Sequence, residues 1–169
     1  MTVTVREAKE ADLPRVAEIK VRSWEDTYAA LIEPDVLAPF LDVEAQLAIL
    51  RKTFRETATL LLVAEDRQGT VVGFGLTYLG RSPDPWLESL HVARASRGTG
   101  AGTALMRKAA KRLQNLGYRT LRLGVVAGND AAARFYERLG ATNTGREPAS
   151  WARGVWHEIY RWDDLSKLA

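Results

Sequence analysis

Cysteine is absent from this chain of 169 residues, and it holds only two histidines, His91 and His157. Thiol catalysis and a disulfide framework are therefore excluded. Two histidines do not build a zinc site on their own, so no metal is expected. Long apolar runs are missing too: the longest obvious one, 60–64, is far shorter than the roughly 20 residues a membrane helix needs. The start of the chain, 1–7, lacks a basic-then-apolar signal pattern, which points to a cytoplasmic protein with no membrane partner. Acid is missing from one long stretch: 89–128 contains no Asp or Glu, while Arg94, Arg97, Arg107, Lys108, Lys111, Arg112, Arg119 and Arg122 all fall there. The net charge is only +3, so the clustering matters more than the sum. A chain of this length is most simply one domain, 1–169, able to bury roughly two thirds of its unfolded surface without staples.

Glycine punctuates the acid-free stretch. Gly98, Gly100 and Gly102 alternate within Arg97-Gly98-Thr99-Gly100-Ala101-Gly102, between an apolar run ending at Val92 and a helical pattern reaching about Leu116. Such a loop lets several N–H groups converge on an anion at a helix start, which is how proteins cradle phosphate. Two familiar phosphate chemistries fail on spacing. Thr103 and Ala104 follow Gly102 where a P-loop needs Lys and Ser or Thr. A dinucleotide fingerprint places Thr103 or Leu105 where its third glycine belongs, and no acid follows until Asp130.

The remaining pattern, Gln/Arg-x-x-Gly-x-Gly/Ala, is met by Arg97, Gly100 and Gly102. Here the chain resembles the GNAT superfamily of acetyl-CoA-dependent N-acetyltransferases. The run 86–92 before the loop, the helix 102–116, the run 121–126, then Asn129, Phe135-Tyr136 and Leu139-Gly140-Ala141 follow that family's successive motifs over about residues 86–145. The resemblance implies an α/β (α+β) fold, a central mixed, mostly antiparallel twisted sheet of about seven strands flanked by about four helices. It also implies acetyl-CoA as cosubstrate and transfer to a primary amine of a small molecule or peptide by direct attack.

Periodicity supplies the rest of the frame. Val3 and Val5 alternate as on a strand, and Asp12 with Pro14 starts a helix along which Val16, Ala17, Val21, Trp24, Tyr28 and Leu31 recur. A second helix is expected over 43–57, and 59–65 and 71–78 read as a hairpin around Asp66-Arg67-Gln68-Gly69. The helix after the glycine loop presents Leu105, Met106, Ala109, Ala110, Leu113 and Leu116 to the core. Alternation from Val155 to Trp162 predicts a last strand, whose aromatics suggest pairing with a second copy in a possible homodimer.

The expected pyrophosphate contacts are the backbone groups of Gly98, Thr99, Gly100, Ala101, Gly102 and Thr103, with Arg97 opening the loop. By resemblance the pantetheine arm runs along the main chain of Leu90, His91 and Val92 and meets Asn129. The same resemblance makes Tyr136 the general acid for the departing thiolate. Asn129 and Tyr136 stand two helical turns apart and so share a face, although a helix cap and a packed aromatic would explain them as well. Some relatives carry a glutamate base on the strand after the one holding the thioester, but Gly124 stands there in this chain. Glu88 is the substitute, expected on the same strand face as Leu90, with His91 opposite and structural. For the acceptor, Trp24, Glu25 and Tyr28 suit a cationic amine through charge and cation–π attraction. Trp86, with Trp151, would line the same cleft. Two other readings stay open: a non-catalytic acyl-CoA-binding regulatory module, and a nucleic-acid binder using the basic stretch. The latter lacks aromatic interleaving, so no nucleic acid is expected.

Overall fold

Strand β2, Thr59–Glu65, sends Leu60, Leu62 and Ala64 into one apolar cluster and Leu61 and Val63 into another. A strand whose alternate residues are both buried has to lie in a sheet covered on both faces. The computed structural model describes residues 2–168, and it shows that sheet. Strands β1 (Thr4–Glu7), β2, β3 (Val71–Tyr78), β4 (Trp86–Val92), β5 (Leu121–Val126), β6 (Thr142–Pro148) and β7 (Trp156–Trp162) pair in the order β1-β2-β3-β4-β5-β7-β6. All pairings are antiparallel except β4 with β5.

Helices α1 (Leu13–Tyr28) and α3 (Val43–Glu56) cover one face. Their apolar stripes, including Leu13, Val16, Leu47 and Leu50, meet Leu61, Val63 and Phe74 there. A short α2, Pro34–Leu37, lies between them in sequence. Helix α4 (Ala101–Asn115) and helix α5 (Asp130–Arg138) cover the other face, where Leu105, Met106, Leu113 and Tyr136 pack with Leu62, Leu121 and Leu123. Leu116, expected in that core, is instead 53% exposed, because α4 has already ended at Asn115.

The parallel pair is short. Trp86 and Leu87 face Arg122 and Leu123, and no further β4–β5 pairs follow. The join is held from the loop before it: buried Asp84 accepts from Arg161 Nε at 3.0 Å and from the Thr120 hydroxyl, tying the start of β4 to β5 and β7. Asp84 is buried while Arg161 keeps partial contact with solvent, so loss of these partners would leave a carboxylate buried without its charge partner, and this end of the splay is clamped. Beyond it β4 and β5 diverge.

A β-bulge starts the divergence. Leu76 faces Ser89 and Thr77 faces Leu87, leaving Glu88 as an extra residue on β4. Bulges bend a strand and increase its twist. They also reset the alternation: Leu87 and Leu90 both join the α4-side core, while Glu88 accepts from Trp86 Nε1 at 3.0 Å and feels the charge of Lys20 on α1. Glu88 therefore does not share a face with Leu90, as period two suggested. It lies on the α1 side with His91, which packs against Phe74.

One further expectation is corrected at the far edge. The last strand, β7, is flanked by β5 and β6, so it has no free edge to offer a second copy. The edge strand is β6, which periodicity did not reveal. All seven of its residues are exposed, and it contains Gly145 and Pro148, a composition that resists edge-to-edge pairing.

Candidate active site

Helix α4 begins at Gly100, whose φ of 87° places it in the left-handed region, and Gly98 has φ 74°. No atom lies within 4 Å of where a Cβ would stand on either, so both open onto free space beside the helix start. That leaves the first N–H groups of α4 and the positive end of its dipole facing outward, the arrangement that binds phosphate. Gly102 serves a different purpose. A Cβ there would approach Phe135 Cζ at 3.3 Å, so its absence lets α5 pack closely on α4. Thr99 turns away, its hydroxyl donating to the Ser96 carbonyl at 2.6 Å.

The loop opens into a cavity of about 580 Å³ that follows the β4–β5 splay. Its donor end is lined by Arg97, Gly98 and Gly100 to Thr103, then by Leu90, His91 and Val92 on one side and Asn129 and Tyr136 on the other. The other end is bounded by Tyr28, Thr27, Glu88 and Gly124. Both residues expected to carry chemistry, Glu88 and Tyr136, thus reach one space from opposite sides of the splay. Asn129 is the α5 cap, its side chain accepting from Ala132 N at 3.3 Å, while it also lines the cavity.

The basic stretch divides. Arg97 Nε donates to the Val92 carbonyl at 3.1 Å, and its Nη2 reaches Ser23 at 3.2 Å and Asp26 at 3.4 Å, so it fastens the loop to α1. Arg112 pairs with Glu7 at 2.6 Å, and Arg122 stacks over Trp86 at 5.4 Å, both serving the scaffold. Arg138 lines the cavity instead, unanticipated from sequence. Its signal was present: Ala131, Phe135 and Arg138 form an i, i+4, i+7 stripe on α5 that faces the same space.

Of the acceptor candidates, only Tyr28 borders the cavity. Glu25 is exposed on α1. Trp24 and Trp86 lie behind the wall: Trp24 packs with Tyr28, Phe40 and Trp151 at centroid distances of 5.1, 5.4 and 5.0 Å, and Trp86 bonds Glu88. At Gly124 a Cβ would fall 2.5 Å from Nδ1 of His157. The position that holds a glutamate in some relatives is thus filled by an imidazole arriving from β7.

A family model described as Acetyltransferase (GNAT) family matches residues 13–141. The chain belongs to this family. It is an acetyl-CoA-dependent N-acetyltransferase, and the open glycine cradle at the start of α4 fits that donor. Similar proteins include an uncharacterised N-acetyltransferase of Bacillus subtilis, 29% identical over 98% of this chain and 96% of its own length. The thialysine N-epsilon-acetyltransferase of Bos taurus is 30% identical over 82% of this chain and 84% of its own. Among solved structures, the PaiA N-acetyltransferase of Thermoplasma acidophilum in complex with coenzyme A shares the fold with a TM-score of 0.76 at 21% identity, covering 95% of this chain and 98% of that one.

Protonation in this GNAT site follows from enclosure. Burial raises the Tyr136 hydroxyl well above its ordinary value, and the neighbouring Tyr28 adds to the shift. Burial alone pushes Tyr28 up to about 12. Among the described residues no protein group hydrogen-bonds the Tyr136 hydroxyl, which leaves a neutral phenol free to donate into the cavity. Burial also raises Glu88 from its ordinary value, opposed by Lys20, Arg81 and the Trp86 N–H. No helix among the described residues is long and apolar enough to cross a membrane.

His91 goes the other way. Burial, with the charges of Lys20 and Arg97, lowers it to about 3, and its Nε2 accepts from Trp24 Nε1 at 3.3 Å. The unfolded chain therefore binds the proton first, near the free histidine value of about 6.5. His91 should contribute stability above about pH 6.5 that is lost as pH falls toward 3. Urea unfolding midpoints measured across that range should fall less steeply for His91→Gln, which keeps an acceptor for the indole but does not titrate. Identical slopes would contradict this assignment.

Proposed function

We propose that this enzyme acetylates a primary amine, on a small molecule or a peptide, by direct attack on the thioester, with Tyr136 as general acid and Glu88 as the base. The convergence of Glu88 and Tyr136 on one cavity, from β4 and from α5, carries this reading. Acetyl-CoA supplies an activated acetyl group. The residues that hold it are the N–H groups of the loop from Gly98 to Thr103, the main chain of Leu90 to Val92, and Asn129, with Arg138 placed to meet phosphate charge. Residues 1–169 act as one such domain.

Acceptor amines arrive protonated and have to lose that proton before attack. Glu88 takes it through water; its carboxylate keeps a solvent-exposed side for that relay, while desolvation on the cavity side raises its pKa and so strengthens it as a base. Tyr136 then donates its proton to the departing sulfur. Its raised pKa keeps it in the donating form at neutral pH. Tyr28 stands at the acceptor end and gives the amine an aromatic wall, whereas Trp24 acts only through it and Trp86 only through Glu88; Glu25 stays on the exposed side of α1. Similarity to the thialysine enzyme supports an acceptor with a free amino group, so thialysine is the first acceptor to assay.

Tyr136→Phe should lower kcat about 10²-fold or more while leaving acetyl-CoA affinity within about twofold, read by thiol release and calorimetry. Unchanged turnover would remove Tyr136 from the chemistry. For wild type, kcat/KM should rise with pH through the ionisation of Glu88, and Glu88→Gln should abolish or displace that limb. An identical profile in the variant would leave Glu88 structural.

A further inference from the structure

Both histidines of this chain are hydrogen-bond acceptors for indoles, and neither takes part in the chemistry above. Trp24 Nε1 on α1 donates to His91 Nε2 on β4 at 3.3 Å, and Trp151 Nε1, in the loop between β6 and β7, donates to His157 Nε2 on β7 at 3.1 Å. The two indoles then touch each other, with ring centroids 5.0 Å apart. Phe40 closes over both at 5.4 and 5.3 Å. The result is a continuous chain, His91–Trp24–Trp151–His157, that starts on one half of the sheet and ends on the other.

Its place in the fold gives it meaning. His91 lies past Leu87 and His157 faces Val126, which lies past Leu123, so both ends sit beyond the last β4–β5 pair. There the strands have no ladder to hold them. Asp84 clamps the closed end of the splay, α4 bridges the face opposite α1, and this chain crosses the α1 side.

We propose that the indole–imidazole chain is a clasp that fixes the opening of the splay, and so the spacing between the Leu90–Val92 edge and the Asn129–Tyr136 side of the site. Its four members are positioning residues. A neutral imidazole has one acceptor nitrogen, so with Nε2 occupied each ring carries its proton on Nδ1. The His157 ring also wedges over Gly124, where any side chain would displace it. The proposal rests on the acetyltransferase reading, because a ligand spanning both sides of the splay senses its width, while one held by the glycine loop alone does not.

The test pairs spectroscopy with binding. ¹⁵N shifts of the wild-type imidazoles at neutral pH should report the Nδ1–H form for both histidines, and an Nε2–H form in either would overturn the clasp. Calorimetry then compares acetyl-CoA, which spans the splay, with adenosine 3′,5′-bisphosphate, which is held at the loop. Trp151→Phe keeps the ring and loses the donor, so it should weaken acetyl-CoA roughly tenfold, about the worth of one hydrogen bond, and leave the bisphosphate unchanged. His157→Gln, which still offers an acceptor, should bind acetyl-CoA nearly as wild type does, whereas His157→Leu should match Trp151→Phe. Equal weakening of both ligands, or no weakening of either, would overturn the proposal. A folded wild type that binds neither ligand would instead remove the acetyltransferase reading, and the imidazole spectra would still decide whether the clasp exists.

Discussion

Everything at this site depends on a strand pairing that stops. β4 and β5 share only Trp86–Leu87 against Arg122–Leu123 before they part. Parallel strands in a continuous ladder would leave no room between them and no free main-chain edge. Because the pairing ends, the edge at Leu90–Val92 turns into a cavity, α4 aims its unpaired N–H groups at one end, and Tyr136 approaches across the gap. The bulge at Glu88 is what makes the stop local and directed. One extra residue bends β4 and carries a carboxylate to the α1 side of the sheet.

The two faces then divide the labour. The α4 face is apolar and closed: Leu105, Met106 and Leu113 are nearly inaccessible, and the helix they anchor carries the glycine loop at its start. The α1 face is aromatic and polar at the splay, with Tyr28, Glu88, both histidines and their indole partners. The glycine-loop end of the cavity thus presents mainly backbone groups, whereas the Tyr28 end is built from side chains. Burial serves both ends, since the enclosure that raises Tyr136 and Glu88 also keeps His91 neutral.

Much of this was legible in residue order. The glycine loop, the α4 stripe, the hairpin at Asp66–Gly69 and the Asn129–Tyr136 spacing are local signals, each written within a few turns or strand residues, and the architecture follows them. What stayed hidden was non-local. The bulge that moves Glu88 off the Leu90 face depends on register with Leu76 and Thr77, which no period within 86–92 records. The burial of Trp24 behind Tyr28 depends on Phe40 and Trp151, distant in sequence. Strand β6 lacks alternation because neither face is covered, and the stripe that brings Arg138 to the cavity is told apart from an ordinary solvated helix face only by the tertiary packing of α5.

We propose that acetyl-CoA lies in the β4–β5 splay, cradled by the glycine loop and reaching Tyr136. Calorimetric titration of acetyl-CoA into the wild-type protein and into Gly100→Val tests it most directly, since a branched side chain at a left-handed φ in the open cradle spoils backbone donors without touching the core. One acetyl-CoA should bind per wild-type chain, with at least tenfold weaker binding by the folded variant. Equal affinity in the two proteins, or no binding by folded wild type, would contradict it.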